Sequence, residues 1–333
     1  MGRITIDYLS GPDIEALALT DDEILGAIEA SLAAQGRRET VIEPRVHLKP
    51  DPAVDGHFNV LRGAIRSRHL AGVKVVGDFH GNYAHGLPSE MGLICLFDAT
   101  NGTPRAVVDA TAITAMRTGA VTALGAKYLA RRDARMLGHI GARGSAYWNV
   151  RLIAHLFDLA EIRVHSRRPE SRTAFAAELR CDLGREVIVT DDWRSCLEGA
   201  DIMVEASRLT RPEPLFKTAW VKRGALVMPY GTMSAVEINL TDVIDTFVMD
   251  DWGQARAGPL GSLRAHLDSG RLSETNLHAE LGQIVAGLKP GRTRDDETIL
   301  FWHRGLSLSD IALADAMLAK ARHMGIGHTL PYG

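Results

Sequence analysis

The sequence predicts an α/β protein, in which a doubly wound parallel sheet is joined to a smaller N-terminal α+β part. Three observations carry this expectation. Residues 134–168 read as strand, glycine turn, helix and strand in unbroken succession. Beyond them, short apolar runs return at 187–189, 202–204, 226–228 and 247–249, each short enough for a strand covered on both faces. Before them, strand-like runs dominate.

In chain order, Ile4-Thr-Ile6 alternates as a short strand. Ser10 or Asp13 can open a helix, and Thr20 a second one. The first turn of the second holds Asp21, Asp22 and Glu23, and its apolar positions recur through Leu32. Residues 40–47 and 57–61 look extended. Ala71-Gly-Val-Lys-Val-Val76 is an apolar strand with a lysine at its middle. A polar loop, 80–88, separates it from a second buried strand, Gly92-Leu-Ile-Cys-Leu-Phe97. Asn101-Gly102 is the dipeptide of a two-residue hairpin turn into Arg105-Ala-Val-Val-Asp109. A long helix rich in Ala and Thr follows over 111–129, and the last helices are expected at 277–286 and 309–323, the final one closed by Gly325. The expected domains are 1–117 with 309–333, for substrate binding and dimerisation, and 118–308, for the dinucleotide.

The central unit carries a phosphate-binding signal. A short apolar run, 135–140, meets Gly141-Ala-Arg-Gly-Ser-Ala146, then a helix with Trp148, Val150, Leu152, Ile153 and Leu156 on its apolar positions, then Ile162-Arg-Val-His165. In a Rossmann-type βαβ unit the glycines let the backbone turn tightly, and the helix start offers N–H groups to a pyrophosphate. The three positions of G-x-G-x-x-G/A are Gly141, Arg143 and Ala146, with Gly144 one place late. The second strand ends in Ser166-Arg167-Arg168, near where the fingerprint expects an acid for the ribose of NAD(H). A hydroxyl and two guanidiniums suit a 2′-phosphate, because guanidinium pairs with phosphate through a planar fork. The plainer alternative is two solvated arginines opening a surface helix. NADP(H) is read as the preferred cofactor, with NAD(H) possible.

Composition bounds the rest. A chain of 333 residues, 46% hydrophobic and 24% charged, has an ordinary globular balance and room for two domains. A net charge of −3 without a basic run argues against nucleic acid. No stretch approaches the roughly 18 apolar residues of a membrane span, and no signal-peptide pattern opens the chain, so a cytoplasmic location is expected. Cys95, Cys181 and Cys196 are odd in number and widely spaced, which reads as buried free thiols in a reducing cytoplasm. The histidines lack metal-ligand spacing, and no metal is expected.

Four residues stand out for chemistry. Lys74 lies mid-strand among Val73, Val75 and Val76, where its ammonium needs water or a partner. It is either a snorkelling surface lysine or a cation facing a ligand cleft. Arg117 sits in a helix of small residues that leave room for a guanidinium to clamp a carboxylate, or to make a structural ion pair. Arg45 follows Pro44 in an extended segment and reads as solvated. Asp310 opens the final helix and reads as an acid complementing its dipole. His80, His85 and His303 read as surface residues, and Ser145 and Ser234 lack a nucleophile-elbow context.

With these residues in place, the chain resembles the ornithine cyclodeaminase/mu-crystallin family over nearly its whole length. The carrying motifs are Gly72-Val-Lys-Val-Val76, Gly81-Asn82, Gly86-Leu-Pro88, Phe97-Asp98, Gly102 and Thr114-Ala-Met-Arg-Thr-Gly-Ala120. Further on they are Glu280-Leu-Gly, Gly287, Lys289-Pro-Gly-Arg292, Phe301, Gly305-Leu306 and Asp310. The resemblance implies a homodimer built through the N-terminal domain, a Rossmann domain binding NAD(H) or NADP(H), and an active site in the cleft between domains. It implies that Arg45 and Arg117 bind the α-carboxylate of an amino or imino acid. Lys74 would contact substrate and assist proton transfer, Thr118 would help hold the cofactor phosphates, and Asp310 would sit near the nicotinamide end. The turn residues Gly141, Arg143, Gly144, Ser145 and Ala146, with Ser166, Arg167 and Arg168, would complete the cofactor site.

Two departures qualify it. Arg143 and Ser145 replace the Gly and Gln of the family's G-x-G-x-Q-A turn, which makes Arg143 a candidate phosphate contact. True cyclodeaminases resemble V-G-A-D-x-P-G-K-x-E-L after the fifth Rossmann strand, and the aspartate handles the substrate amine. Here the run is Met228-Pro-Tyr-Gly-Thr-Met-Ser-Ala-Val-Glu237, with Gly231 at the aspartate position. The expected function is therefore an NAD(P)H-dependent reductase of an α-imino acid, or an amino-acid dehydrogenase run backwards. A cyclodeaminase acting on ornithine or lysine, and a non-catalytic NADP(H)-binding protein, are the alternatives.

Overall fold

The structure, a computed structural model, describes residues 4–256 and 261–333. It divides into two compact units, Met1–Arg117 with Leu306–Gly333, and Thr118–Gly305.

In the first unit, seven strands run in chain order: β1 (Thr5–Leu9), β2 (Thr40–Ile42), β3 (Val46–Leu48), β4 (His57–Ile65), β5 (Leu70–Asp78), β6 (Glu90–Asp98) and β7 (Pro104–Asp109). With the C-terminal strand His328–Pro331 they form one sheet, in the order C-terminal strand, β1, β7, β6, β5, β4, β2, with β3 also on β4. Only β1 and β7 pair in parallel. Helix α1 (Gly11–Ala16) opens at Ser10, whose hydroxyl accepts from the Asp13 N–H while the Asp13 carboxylate accepts from the Ser10 N–H. Helix α2 (Asp21–Gly36) opens on the same reciprocal box between Thr20 and Glu23. The extended segment at 40–47 is broken into β2 and β3 at Pro44, and Asn101-Gly102 sits in a five-residue connection, 99–103, rather than a two-residue one. Gly102 (φ 77°) donates there to the Asp98 carbonyl, and Asn101 accepts from Thr103 N–H.

Register explains the lysine on β5. Leu61, Lys74, Ile94 and Val108 lie opposite one another across β4 to β7, so their side chains share one face. All four are buried, and the long last helix, Ser307–Met324, packs against β4, β5 and β6. Lys74 thus faces the core side, and the snorkelling alternative does not hold. Val46, Val60, Val75 and Leu93 form the next row, on the opposite face. Val75 and Leu93 are exposed there, as are Val46, Leu48 and Met91.

The second unit carries β8 (Met136–Ile140), β9 (Glu161–His165), β10 (Ile188–Val189), β11 (Ile202–Glu205), β12 (Leu226–Pro229), β13 (Thr246–Met249), β14 (Leu277–Glu280) and β15 (Ile299–Trp302). They form a second sheet in the order β10-β9-β8-β11-β12-β15-β13-β14, every pair parallel. The order reverses between β8 and β11, which is the switch point of a doubly wound sheet. One expectation fails. Residues 277–286 form β14 and a short helix, Leu281–Val285, because Leu277, Ala279 and Glu280 pair with Phe247, Val248 and Met249. Sheet pairing there outweighs the helical preference of the sequence.

Helix α3 (Thr111–Leu129) contains the division between units. Its small residues allow close approach: a Cβ on Gly125 would lie 2.5 Å from a ring carbon of the buried Phe301. Among the described residues no helix is long and apolar enough to cross a membrane. Gly125→Ala should gain about 1 kcal/mol of helix propensity and lose about 1–3 kcal/mol to overpacking. A lowered urea midpoint at unchanged m is the expected result, and a raised midpoint would mean that the ring moves aside freely.

Candidate active site

Three chain segments bring Lys74, Arg117 and Asp310 together. Lys74 projects from the middle of β5, Arg117 from α3 and Asp310 from the first turn of the last helix. The Asp310 Oδ1 accepts from Lys74 Nζ and from Arg117 Nε, both at 2.9 Å. Lys74 also donates to the Thr114 hydroxyl at 2.7 Å, which in turn donates to the Ala110 carbonyl. Lys74 is 1% exposed and Asp310 0%, so solvent does little to screen the charges. The second oxygen, Asp310 Oδ2, is buried without a hydrogen-bond partner among the described residues.

Charge balance sets the chemistry. Burial works to raise Asp310, but Arg117 and Lys74 outweigh it and hold the carboxyl below its usual range. Burial is also the largest influence on Lys74 and, with Arg117, holds it below the usual lysine range although Asp310 pulls the other way. Two cations share one carboxylate oxygen, so a second anion fits the cluster. Arg45 is half-buried and directly precedes Val46, which pairs with Val60 on β4. Asn59, on β4 two residues before Leu61, has a buried Oδ1 without a partner among the described residues. Asp310 is therefore more than a dipole acid. Its partners lie 236 and 193 residues away in sequence.

In the second unit the glycine turn lies at the switch point. Gly141 has φ 109°, and a Cβ there would lie 2.7 Å from the Ala206 carbonyl oxygen just after β11. Gly144 has φ 62°, Arg143 is exposed, and Ala146 is buried as the first residue of α4 (Ala146–Leu156). Gly119 packs against the first turn of α4, where a Cβ would lie 2.6 Å from the Trp148 carbonyl carbon. Ser145 does not cap α4; its hydroxyl bonds to the Tyr230 hydroxyl at 2.7 Å. A turn closed to side chains over an uncapped helix start fits a dinucleotide phosphate. At the end of β9, the Ser166 hydroxyl donates to the Arg168 carbonyl, and Arg167 makes an exposed ion pair with Glu213 at 2.6 Å. Arg168 is exposed at the start of α5 (Pro169–Leu183). Such a surface pair is worth little and can yield to a stronger anion.

Residues that sequence reasoning passed over underlie the turn. Asn149 Nδ2 donates to His139 Nε2 at 2.9 Å and to the Tyr230 hydroxyl at 2.6 Å. His139 Nδ1 then carries the proton and donates to the Gly141 carbonyl, and burial lowers the imidazole to about 4, so it stays neutral. His303 is not a surface residue: it is buried, packs its ring at a tilt against Tyr230 with centroids 4.2 Å apart, and bonds to Thr122 at 3.1 Å.

The loop after β12 holds the other feature. Glu205, the fully buried last residue of β11, accepts at Oε1 from the Ser207 N–H (2.7 Å) and hydroxyl. At Oε2 it accepts from the Gly231 N–H (3.3 Å) and the Ser262 hydroxyl (2.6 Å). A Cβ on Gly231 would lie 2.5 and 2.8 Å from the two carboxylate oxygens and 2.7 Å from the Ser207 carbonyl oxygen. The place of a side chain at 231 is taken by a carboxylate from the neighbouring strand. The one available signal was an acid ending an apolar run.

Strand order and the glycine turn define the doubly wound α/β class. The chain belongs to the ornithine cyclodeaminase/mu-crystallin family, whose pattern it matches over residues 7–324. It is 28% identical to an alanine dehydrogenase of Archaeoglobus fulgidus, over 97% of this chain and 98% of that one. It is similar in structure to the Δ1-pyrroline-2-carboxylate reductase of Thermococcus litoralis in complex with NADH and L-proline (TM-score 0.88, 27% identity, 97% and 99% of the chains). An archaeal alanine dehydrogenase dimer with bound NAD superposes with a TM-score of 0.90 at 26% identity, over 99% and 100% of the chains.

Gly231→Asp should lower the melting temperature, because its side chain meets a backbone oxygen and a second carboxylate. Overpacking alone costs about 1–3 kcal/mol. A variant that melts with the wild type would mean that the loop accommodates an acid after all.

Proposed function

We propose that the protein is an NADP(H)-preferring reductase of an α-imino acid, or equally an amino-acid dehydrogenase run in reverse. The observation that carries this is the buried cluster of Lys74, Arg117 and Asp310, with two cations on one carboxylate oxygen. The missing anion is the substrate α-carboxylate, clamped by Arg117 and Arg45. The unpartnered Asp310 Oδ2 and Asn59 Oδ1 are acceptors suited to N–H groups of the substrate. Lys74, held below lysine's ordinary range, gives a proton to the imine nitrogen and makes its carbon more electrophilic. The bound reduced nicotinamide supplies the hydride. Holding donor and acceptor carbons in register can be worth about 7–11 kcal/mol.

Gly141, Gly144, Ser145, Ala146 and Thr118 would hold the pyrophosphate, with Arg143 beside it. Ser166, Arg167 and Arg168 would take the 2′-phosphate once Arg167 leaves Glu213. The relatives support a nicotinamide cofactor and amino- or imino-acid chemistry. Ring-closing deamination is disfavoured by the crowding at Gly231. We also propose a homodimer through the outer face of the first sheet, where Val46, Val75 and Leu93 leave an apolar row, a feature that marks interaction surfaces.

The test is NADPH oxidation with pyruvate, glyoxylate or oxaloacetate plus ammonia or methylamine, and with pyrroline-2-carboxylate, NADH in parallel. Oxidation with one imine class is expected. Lys74→Ala and Arg117→Ala should each cut kcat/KM at least about 100-fold with cofactor affinity nearly kept. Lys74 must be protonated to act, so kcat/KM should fall as pH rises through its lowered pKa, below the range of a free lysine. Wild-type turnover in both variants would remove the assignment. Val75→Glu with Leu93→Glu should give a monomer by light scattering; an unchanged dimer would place the interface elsewhere.

A further inference from the structure

Glu205 has a role to fill that the clamp and the phosphate cradle leave open. It ends β11 directly across from Ile140, the last residue before the glycine turn. In a doubly wound sheet the adenosine half of a dinucleotide lies over the β9 side of the switch point, and the nicotinamide half over β11 and β12. Glu205 is therefore the buried carboxyl on the nicotinamide side. All four of its donors are neutral, and two are hydroxyls that can turn from donor to acceptor. The site accommodates both a carboxylate and a carboxylic acid: the acid donates to Ser207 or Ser262 and keeps both backbone bonds. Ser262 is buried, whereas Ser207 is half-buried and gives the path outward. Gly231 leaves the space for this arrangement.

We propose that Glu205 is a proton-exchanging carboxyl whose charge follows that of the bound nicotinamide, protonated beside the reduced form and ionised beside the oxidised one. The inference rests on the reductase reading. A bound oxidised nicotinamide would carry a positive charge that the reduced form lacks, and the Glu205 carboxyl beside it would be driven to ionise. The Glu205 O–H proton passes to the Ser207 oxygen as that hydroxyl releases its own proton outward to solvent. Glu205 is left as the carboxylate that balances the pyridinium, and it regains its proton from solvent when oxidised cofactor departs. Burial, the largest influence on Glu205, holds it above the usual carboxyl range against its four hydrogen bonds, which brings the exchange toward neutral pH. Tyr230 beside it is raised, chiefly by burial and slightly by the Glu205 charge, and stays a neutral phenol. His139, next to Ile140 on β8, stays neutral, while His303 packs against Tyr230 and Arg208 follows Ser207 on the exposed side.

Calorimetric titration of the full chain with NADP+ and with NADPH, in two buffers of different ionisation enthalpy between about pH 6 and 9, counts protons. NAD+ and NADH are run alongside. NADP+ should release up to about one proton and NADPH almost none, with NADP+ affinity rising up to about tenfold per pH unit while Glu205 is still protonated. Glu205→Gln should abolish the difference. Ser262→Ala removes one bond to the carboxylate, so the release should persist and move to higher pH. Equal release for both forms in the wild type, or a surviving difference in folded Glu205→Gln, overturns the proposal. If that variant does not fold, an unmoved release in Ser262→Ala does so. Binding of neither cofactor overturns the reductase reading, and the proton coupling with it.

Discussion

The buried carboxylate of Asp310 is the constraint on which the rest of the first unit depends. Burying an ion costs several kcal/mol even after relaxation, and only good geometry repays it. Here one oxygen takes Lys74 and Arg117 at 2.9 Å each, which ties the middle of β5, helix α3 and the last helix to a single point. Remove the carboxylate and two cations are left in the core; remove one cation and the other still has its partner. The arrangement is lopsided, and so it is poor as a purely structural device. An apolar trio would serve stability better. Excess positive charge makes sense in a place that receives an anion.

The second unit is governed by contact distance rather than charge. At Gly141, Gly119 and Gly231 a Cβ would fall within 2.8 Å of another residue's atoms, and all three border the carboxyl ends of β8, β11 and β12 or the start of α4. Backbone meets backbone at the first two, which is how a phosphate can reach peptide N–H groups. At Gly231 a backbone meets a side chain, the buried and hydrogen-bonded Glu205 carboxylate that ends the neighbouring strand.

How much of this the sequence made legible follows from the range of the interactions. Apolar runs and the glycine turn are local, and they gave the parallel sheet and its cradle. β14 was misjudged because Leu277, Ala279 and Glu280 are held by Met249 and its neighbours on β13, a pairing that local preference does not record. Lys74 drew notice as a charge in an apolar strand, but its side of the sheet depended on a partner 236 residues away. Asp310 looked like a helix-dipole acid for the same reason. Glu205 carries no local signal beyond ending an apolar run and His303 reads as a surface residue, since an acid or a histidine at a strand end is ordinary until the fold sets it against Gly231 or Tyr230.

The two units handle charge in complementary ways. In the first, opposite charges are fixed in place and burial holds one lysine below its usual range. In the second, a carboxyl is buried among neutral donors and held above its usual range. Reduction of an imine moves a hydride and a proton together, leaving a cation on the cofactor and an amine on the product. A chain that met this with permanent charges alone would favour one side of the reaction and bind its product too tightly. Groups poised between charged and neutral forms can follow the reaction in either direction. That poise comes from burial, which shifts a lysine down and a glutamate up.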